Sequence, residues 1–206
     1  MGLKGKKIIF SSISTCCKIK KEGGLSMLHI KRIYKEDYPD GKKIIYQYHS
    51  DKFYDVSYQV QENGWIMDFT LKHYDIPFHK HLEGEIFADY IEEIECYVAE
   101  IYGEEVGIVS CSHEKWNNVL RINDIHVNPQ YLHKGIGSQL MSLVKTRAEE
   151  LGARAIVLET QTSNYPAIQF YKRHGFQLIG CDLLSYSNTD MENREVRIEM
   201  GLVLEA

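Results

Sequence analysis

Two glycines one residue apart, Gly135 and Gly137, stand between an apolar strand ending at Val127 and a helical repeat of Ile136, Leu140, Leu143, Val144 and Leu151. A glycine inside a helix costs about 0.5–1 kcal/mol relative to alanine, so a first turn is a poor place for two of them. A strand, a Gly-rich turn and a helix in that order form an anion site. The free N–H groups of the first turn and the positive end of the helix dipole hold phosphate oxygens where no side chain intrudes. A tight turn with close helix packing accounts for the same glycines equally well. Further along, Ala167, Phe170, Tyr171 and His174 share one face of a second helix, which turns Tyr171 inward. Its hydroxyl is either satisfied in a core or available to a reaction. Two carboxylates stand out nearby: Asp124 alternates with Ile125 in "INDIHV", and Glu159 is a charge closing the apolar run "ARAIVLET". His126 shares Asp124's side of its strand, as a proton relay or a hydrogen-bonded structural histidine. "HKH" at 79–81 with His73 has no Cys or carboxylate placed to complete a tetrahedral set, so no metal is expected.

The elements that position these residues follow from periodicity. "MLHIKRI" (27–33) reads as a strand, and Tyr-Pro-Asp-Gly within 36–43 as turn chemistry. Tyr54, Val56, Tyr58 and Val60 alternate, Asn63-Gly64 supplies a turn, and Trp65, Met67, Phe69 and Leu71 alternate again, predicting a hairpin over 53–74. Residues 81–95 read as short, acidic and partly helical. Strands at 96–102, 105–112 and 119–127 make an antiparallel meander. The first helix follows the glycines and stops at Gly152; 153–160 has the continuous apolar run of a strand covered on both faces. A second helix runs from about Pro166 to His174 with Gly175 as its cap, and two strands close the chain. The fold class is α/β, with no repeats.

Composition narrows the function. The chain has 206 residues, 44% of them hydrophobic, and no apolar run long enough to cross a bilayer. Its five cysteines show no CxxC spacing, and reduced thiols in the cytoplasm are the expectation. Residues 1–26 carry +5 and leave −10 on the remainder, an acidic body that argues against nucleic acid and for a cationic substrate. Ordinary solubility charge would look the same. The basic stretch 1–26 is expected to be poorly ordered, ahead of a single domain over 27–206. "KEGG" just before Met27 reads as a translated purine-rich ribosome-binding sequence, which would make Met27 the native start.

"VNPQYLHKGIGSQLM", "VLET" and "NYPAIQFYKRHGF" together resemble the GNAT superfamily of acyl-CoA-dependent N-acetyltransferases, over about 94–186. The resemblance implies a mixed, twisted sheet of about seven strands flanked by helices. Two splayed parallel strands, 119–127 and 154–160, would form the acyl-CoA cleft. It implies acetyl-CoA as co-substrate, with the pyrophosphate on the loop of His133, Lys134, Gly135, Ile136, Gly137 and Ser138. The backbone of Ile125, His126 and Val127 would hold the pantetheine and thioester, and Asn164 matches the family's CoA-contacting asparagine. Tyr171 matches the tyrosine that protonates the departing thiolate. The sequence departs from the pattern at Leu132, where an Arg or Gln is usual, and Gln130, His133 or Lys134 would supply part of that contact. An acceptor amine with pKa about 10.4 costs on the order of 4–5 kcal/mol to deprotonate at pH 7. Asp124 and Glu159 are the candidates for general base and amine-binding carboxylate, in either order.

Within the superfamily the chain is similar to streptothricin acetyltransferases. The resemblance is carried by "YIEEIECYVAEI", "INDIHV", "KGIGSQLM", "VLETQTSNYPAIQFYKRHGF", "IGCDLLSY" and "ENGWIMDFTLKHYD". Those enzymes inactivate a polycationic antibiotic by acetylating an amine, which the acidic residues Glu83, Glu85, Asp89, Glu92 and Glu93 would suit, although a solvated helix face reads the same. The alternatives are another polyamine-like molecule, a protein amino group, or acyl-CoA binding without turnover. No nucleic-acid or membrane partner is expected, and exposed edge strands are compatible with a homodimer.

Overall fold

The computed structural model describes residues 14–21, 24–87 and 93–205, which form ten strands and two α-helices. β1 (Ser14–Lys21), β2 (Gly24–Ile33), β5 (Glu95–Ile101), β6 (Glu104–Glu114), β7 (Val119–Val127), β8 (Ala155–Gln161), β9 (Gln177–Asp182) and β10 (Arg197–Val203) build one sheet. Its order is β1-β2-β5-β6-β7-β8-β10-β9. Every neighbouring pair is antiparallel except β7–β8, where α1 (Ile136–Glu150) makes the crossover that a parallel pair requires. α2 (Tyr165–Arg173) connects β8 to β9. β3 (Lys43–Gln61) and β4 (Gly64–Glu85) pair with each other in a separate two-stranded ribbon.

α1 buries Ile136, Leu140, Met141, Val144 and Ala148, the stripe expected of a helix lying on a sheet. It meets Leu28, Ile30, Tyr97, Val109, Leu120 and Ile122 in the main core. Removing one such side chain, Leu140→Ala, would cost about 2–5 kcal/mol. A second cluster on Ile33, Ile44, Ile86, Phe87, Val98 and Ile108 anchors the base of the ribbon to the sheet. β5 and α1 are tied by charge as well. Arg147 donates to both Glu95 oxygens at 2.8 and 2.7 Å, and the Tyr97 hydroxyl donates to Glu95 at 2.7 Å.

Two expectations differ from the structure. The hairpin runs over 43–85 rather than 53–74, with Glu62 and Asn63 as its turn and a register shift near Ser50. Residues 81–85, read as helical, continue β4, because their backbone pairs with 43–47 and an exposed ribbon accepts charged side chains on its surface. The remainder of that acidic segment, including Asp89 and Glu92, lies outside the described residues, and Glu93 is paired with Lys115. Residues 14–21 form β1 along the open edge of β2, whose unpaired backbone groups offer a ladder. Without β1 the main sheet has the expected seven strands. Among the described residues no helix is long and apolar enough to cross a membrane, and no three His, Cys, Asp or Glu side chains are grouped to hold a metal.

Candidate active site

The parallel ladder between β7 and β8 begins at Val119 with Ala155 and ends at Ile122 with Leu158. Beyond that point the strands separate, and the β7 edge from Asn123 to Val127 has no ladder partner on the β8 side. This fork is where the sequence placed an acyl-CoA cleft. On its other edge β7 pairs with β6, with a register shift: Cys111 faces Ile122 and Ser110 faces Asp124, so Asn123 is the extra residue of a bulge. The bulge changes which side chains point to the core. Leu120 and Ile122 face it before the bulge, Ile125 and Val127 after it. Asp124 and His126 therefore both project from the opposite face.

Asp124 is held there by two hydroxyls. Tyr46 of β3 donates to Oδ1 and Ser110 of β6 donates to Oδ2. Burial raises the proton affinity of Asp124 above the ordinary aspartate range, against the lowering effect of the Ser110 and Tyr46 hydrogen bonds. His126 packs edge-on against the Tyr46 ring at 6.4 Å, and burial lowers its pKa. Tyr171 of α2 is 7% exposed and lies between Phe170 and Phe176. Burial pushes its phenol up, and the charge of Asp124 adds to that effect, so the two groups share one electrostatic neighbourhood. A phenol kept protonated well above neutrality suits a proton donor.

Glu159 is not brought into this group. Its carboxylate meets Arg197 at 2.6 Å, in a surface network that also holds Glu199 and Arg121. Neighbouring β10 supplies that partner, and the apolar run of β8 gave no sign of it.

The β7–α1 junction has the features of an anion cradle. Gly135 is the N-cap of α1 with φ +84°, no side chain caps the helix, and the first intrahelical bond is Gln139 N–H to Gly135 C=O at 3.1 Å. The amides of Ile136, Gly137 and Ser138 thus precede Gln139, the first donor of the helical ladder. A Cβ on Gly135 would meet open space, so its glycine serves the left-handed backbone. Gly137 has another reason: a Cβ there would lie 3.3 Å from the Phe170 ring and 3.7 Å from Val127. The left-handed turn at Gly135 and the close packing at Gly137 are together the tight turn with close helix packing, and the same geometry leaves the first-turn amides uncapped. Lys134 folds back, donating to Gln130 C=O at 2.8 Å and lying 4.6 Å from the Tyr131 ring, while Leu132 is half exposed. His133 has a left-handed backbone, φ +61°. Ser138 and His174 are 3.2 Å apart, linking the start of α1 to the end of α2. Asn164 accepts from Ala167 N–H at 3.3 Å as the cap of α2, which commits its Oδ1 and leaves its amide nitrogen to donate. An uncapped helix start with no side chain across it fits a diphosphate.

The ribbon closes the fork from above, which sequence reasoning missed in its detail. Tyr54 N–H donates to Thr162 C=O at 3.0 Å and the hydroxyls of Tyr48 and Ser163 lie 2.8 Å apart, just past the end of β8. With Tyr46 on Asp124, β3 thus spans from β7 to the β8 side. The available signal was the alternation Ile44, Tyr46, Tyr48 in "IIYQYHS", upstream of where the hairpin was expected to start.

The sequence matches the model of the acetyltransferase (GNAT) family over residues 30–176. The chain belongs to the GNAT family. It is 40% identical over 90 residues to a streptothricin acetyltransferase of Streptomyces lavendulae, covering 44% of this chain and 48% of that enzyme. It is 32% identical over 136 residues to streptothricin acetyltransferase A of Bacillus subtilis (strain 168), covering 64% of this chain and 77% of that enzyme. A candidate streptothricin acetyltransferase from Bacillus anthracis, solved in complex with acetyl coenzyme A, is 25% identical with a TM-score of 0.65 over 86% of this chain and 98% of that one. This GNAT protein is therefore an N-acetyltransferase similar to streptothricin acetyltransferases, with acetyl-CoA as the co-substrate of its family.

Proposed function

We propose that the enzyme transfers acetyl from acetyl-CoA directly to a primary amine of a cationic small molecule, of the streptothricin class, in a ternary complex. The observation that carries this reading is the fork itself: a hydroxyl-pinned carboxylate, Asp124, and a buried phenol, Tyr171, in one neighbourhood beside an uncapped helix start. The amides from Lys134 to Ser138 hold the pyrophosphate, and the open edge of Ile125, His126 and Val127 receives the pantetheine. Asn164 adds a donor from its amide nitrogen.

The ammonium of the acceptor gives its proton to Asp124, and the freed amine attacks the thioester carbonyl carbon. As the C–S bond breaks, Tyr171 donates its phenolic proton to the leaving sulfur, and the proton that the nitrogen sheds on becoming an amide restores the phenol. Burial favours the first transfer from both sides, raising the carboxylate's proton affinity and lowering that of an ammonium drawn into the same cleft. Glu159, engaged by Arg197, is assigned no proton transfer and remains the candidate for holding a second cationic group of the acceptor.

A thiol-release assay with acetyl-CoA and a panel of amines tests the proposal. Turnover with streptothricin is the expected result. Turnover confined to other polyamines or to peptide amines would replace the acceptor, and acetyl-CoA binding without thiol release would remove the catalytic reading.

A further inference from the structure

A Cβ built on Gly84 of β4 would lie 2.6 Å from Cε2 of Tyr46, closer than any side chain approaches. Gly84 pairs with Ile44 and Tyr46 pairs with Leu82, so the Tyr46 ring leans diagonally over the position where β4 has no side chain. The ring of Tyr46 is thereby seated on the ribbon, and its hydroxyl reaches across to β7. There it donates to Oδ1 of Asp124 while Ser110 donates to Oδ2. One donor on each oxygen pins the carboxylate plane, since rotation about the side chain would lose one bond or the other.

We propose that Tyr46, seated on Gly84, is a positioning residue for the base. It orients the Asp124 carboxylate and keeps it ionised, so that one remaining lone pair faces the incoming ammonium. The proposal rests on the reading of Asp124 as general base and adds to it that the ribbon, not the main sheet alone, prepares that base. The groups around Asp124 are Tyr46 from β3, Cys96 from β5, Ser110 from β6, Tyr171 from α2 and His126 on its own strand. None of these brings a permanent cation, so hydroxyl donors carry the stabilisation of the carboxylate.

The test is the pH profile of kcat/KM for acetyl transfer to streptothricin, or to the best acceptor of the amine panel. It uses the full chain and compares wild type, Tyr46→Phe, Gly84→Ala, the double variant and Asp124→Asn. Losing one donor makes Asp124 a stronger proton acceptor, so the acid limb of Tyr46→Phe moves to higher pH. On the acid limb kcat/KM falls about tenfold, the worth of one hydrogen bond to a charged group at 1.36 kcal/mol per decade. Gly84→Ala displaces the ring and moves the limb in the same direction, and it adds nothing in the Tyr46→Phe background. Wild-type limbs in both single variants, with Asp124→Asn inactive, would overturn the positioning role alone. A wild-type profile in Asp124→Asn would overturn the base reading on which it stands. Additive effects of Gly84→Ala and Tyr46→Phe would show that Gly84 does not act through Tyr46, overturning the seat.

Discussion

At Asp124 burial and hydrogen bonding oppose each other, and burial prevails: the folded-state pKa is raised. Such a group adds stability at low pH that is lost as pH rises through its folded value, so the ionised carboxylate at neutrality is a cost. Asp124→Asn is expected to abolish turnover while gaining in melting temperature relative to wild type as pH rises from 4 to 7; thermal melts across that range check it. Tyr171→Phe removes the proposed proton donor and leaves the ring in place. A fall in kcat of about 10²–10⁴ is expected, with acetyl-CoA affinity, measured by calorimetry, largely unchanged. Both residues were legible in the sequence, Asp124 by its alternation and Tyr171 by its helical spacing. Tyr46 and Ser110 were not, because a tyrosine 78 positions from its carboxylate leaves no local pattern.

Among the elements, α1 is set at both ends by neighbours that the sequence does not name. At its start Gly137 lets Phe170 of α2 approach, so Gly137→Ala must push that ring by a few tenths of an ångström. A loss of about 1–3 kcal/mol in urea unfolding is expected. Gly135→Ala meets no atoms but strains a backbone at φ +84°, and its expected loss is about 1 kcal/mol together with weaker acetyl-CoA binding. At the other end Arg147 grips Glu95. Burial alone would raise the Glu95 pKa, and the hydrogen bonds from Arg147 and Tyr97 with the charge of Arg32 bring it below the usual range instead. Its contribution to stability is present above the ordinary glutamate pKa and lost as pH falls through the lowered folded value. Glu95→Gln should flatten that acid limb, which unfolding measured between pH 2 and 6 would reveal. The helices and their stops were read correctly because caps and periodicity are local signals. The ribbon was read too short because the alternation Ile44, Tyr46, Tyr48 at its base was passed over in favour of the stronger alternation around its turn.

For the whole molecule, function depends on a ladder that stops. β7 and β8 pair for four residues and then part, leaving room that α1's start and the ribbon enclose from two sides. With acetyl-CoA held in the fork as proposed, a concentration of 100 times its dissociation constant should stabilise wild type by about 2.7 kcal/mol. The Gly135→Ala protein should show a smaller shift at the same concentration.

Sequence alone determined the α/β class, the order of elements after residue 95, the glycine junction and the identity of the inward tyrosine. Each is written in spacing along one segment, where 3.6-fold or twofold periodicity and turn chemistry act between near neighbours. Tertiary structure decided the surroundings of the two candidate carboxylates. The partners of Asp124 and Glu159 come from other strands: hydroxyls of β3 and β6 for the first, an arginine of β10 for the second. The two acids look alike in the chain, and only packing separates a half-buried carboxylate held by hydroxyls from one paired with an arginine at the surface.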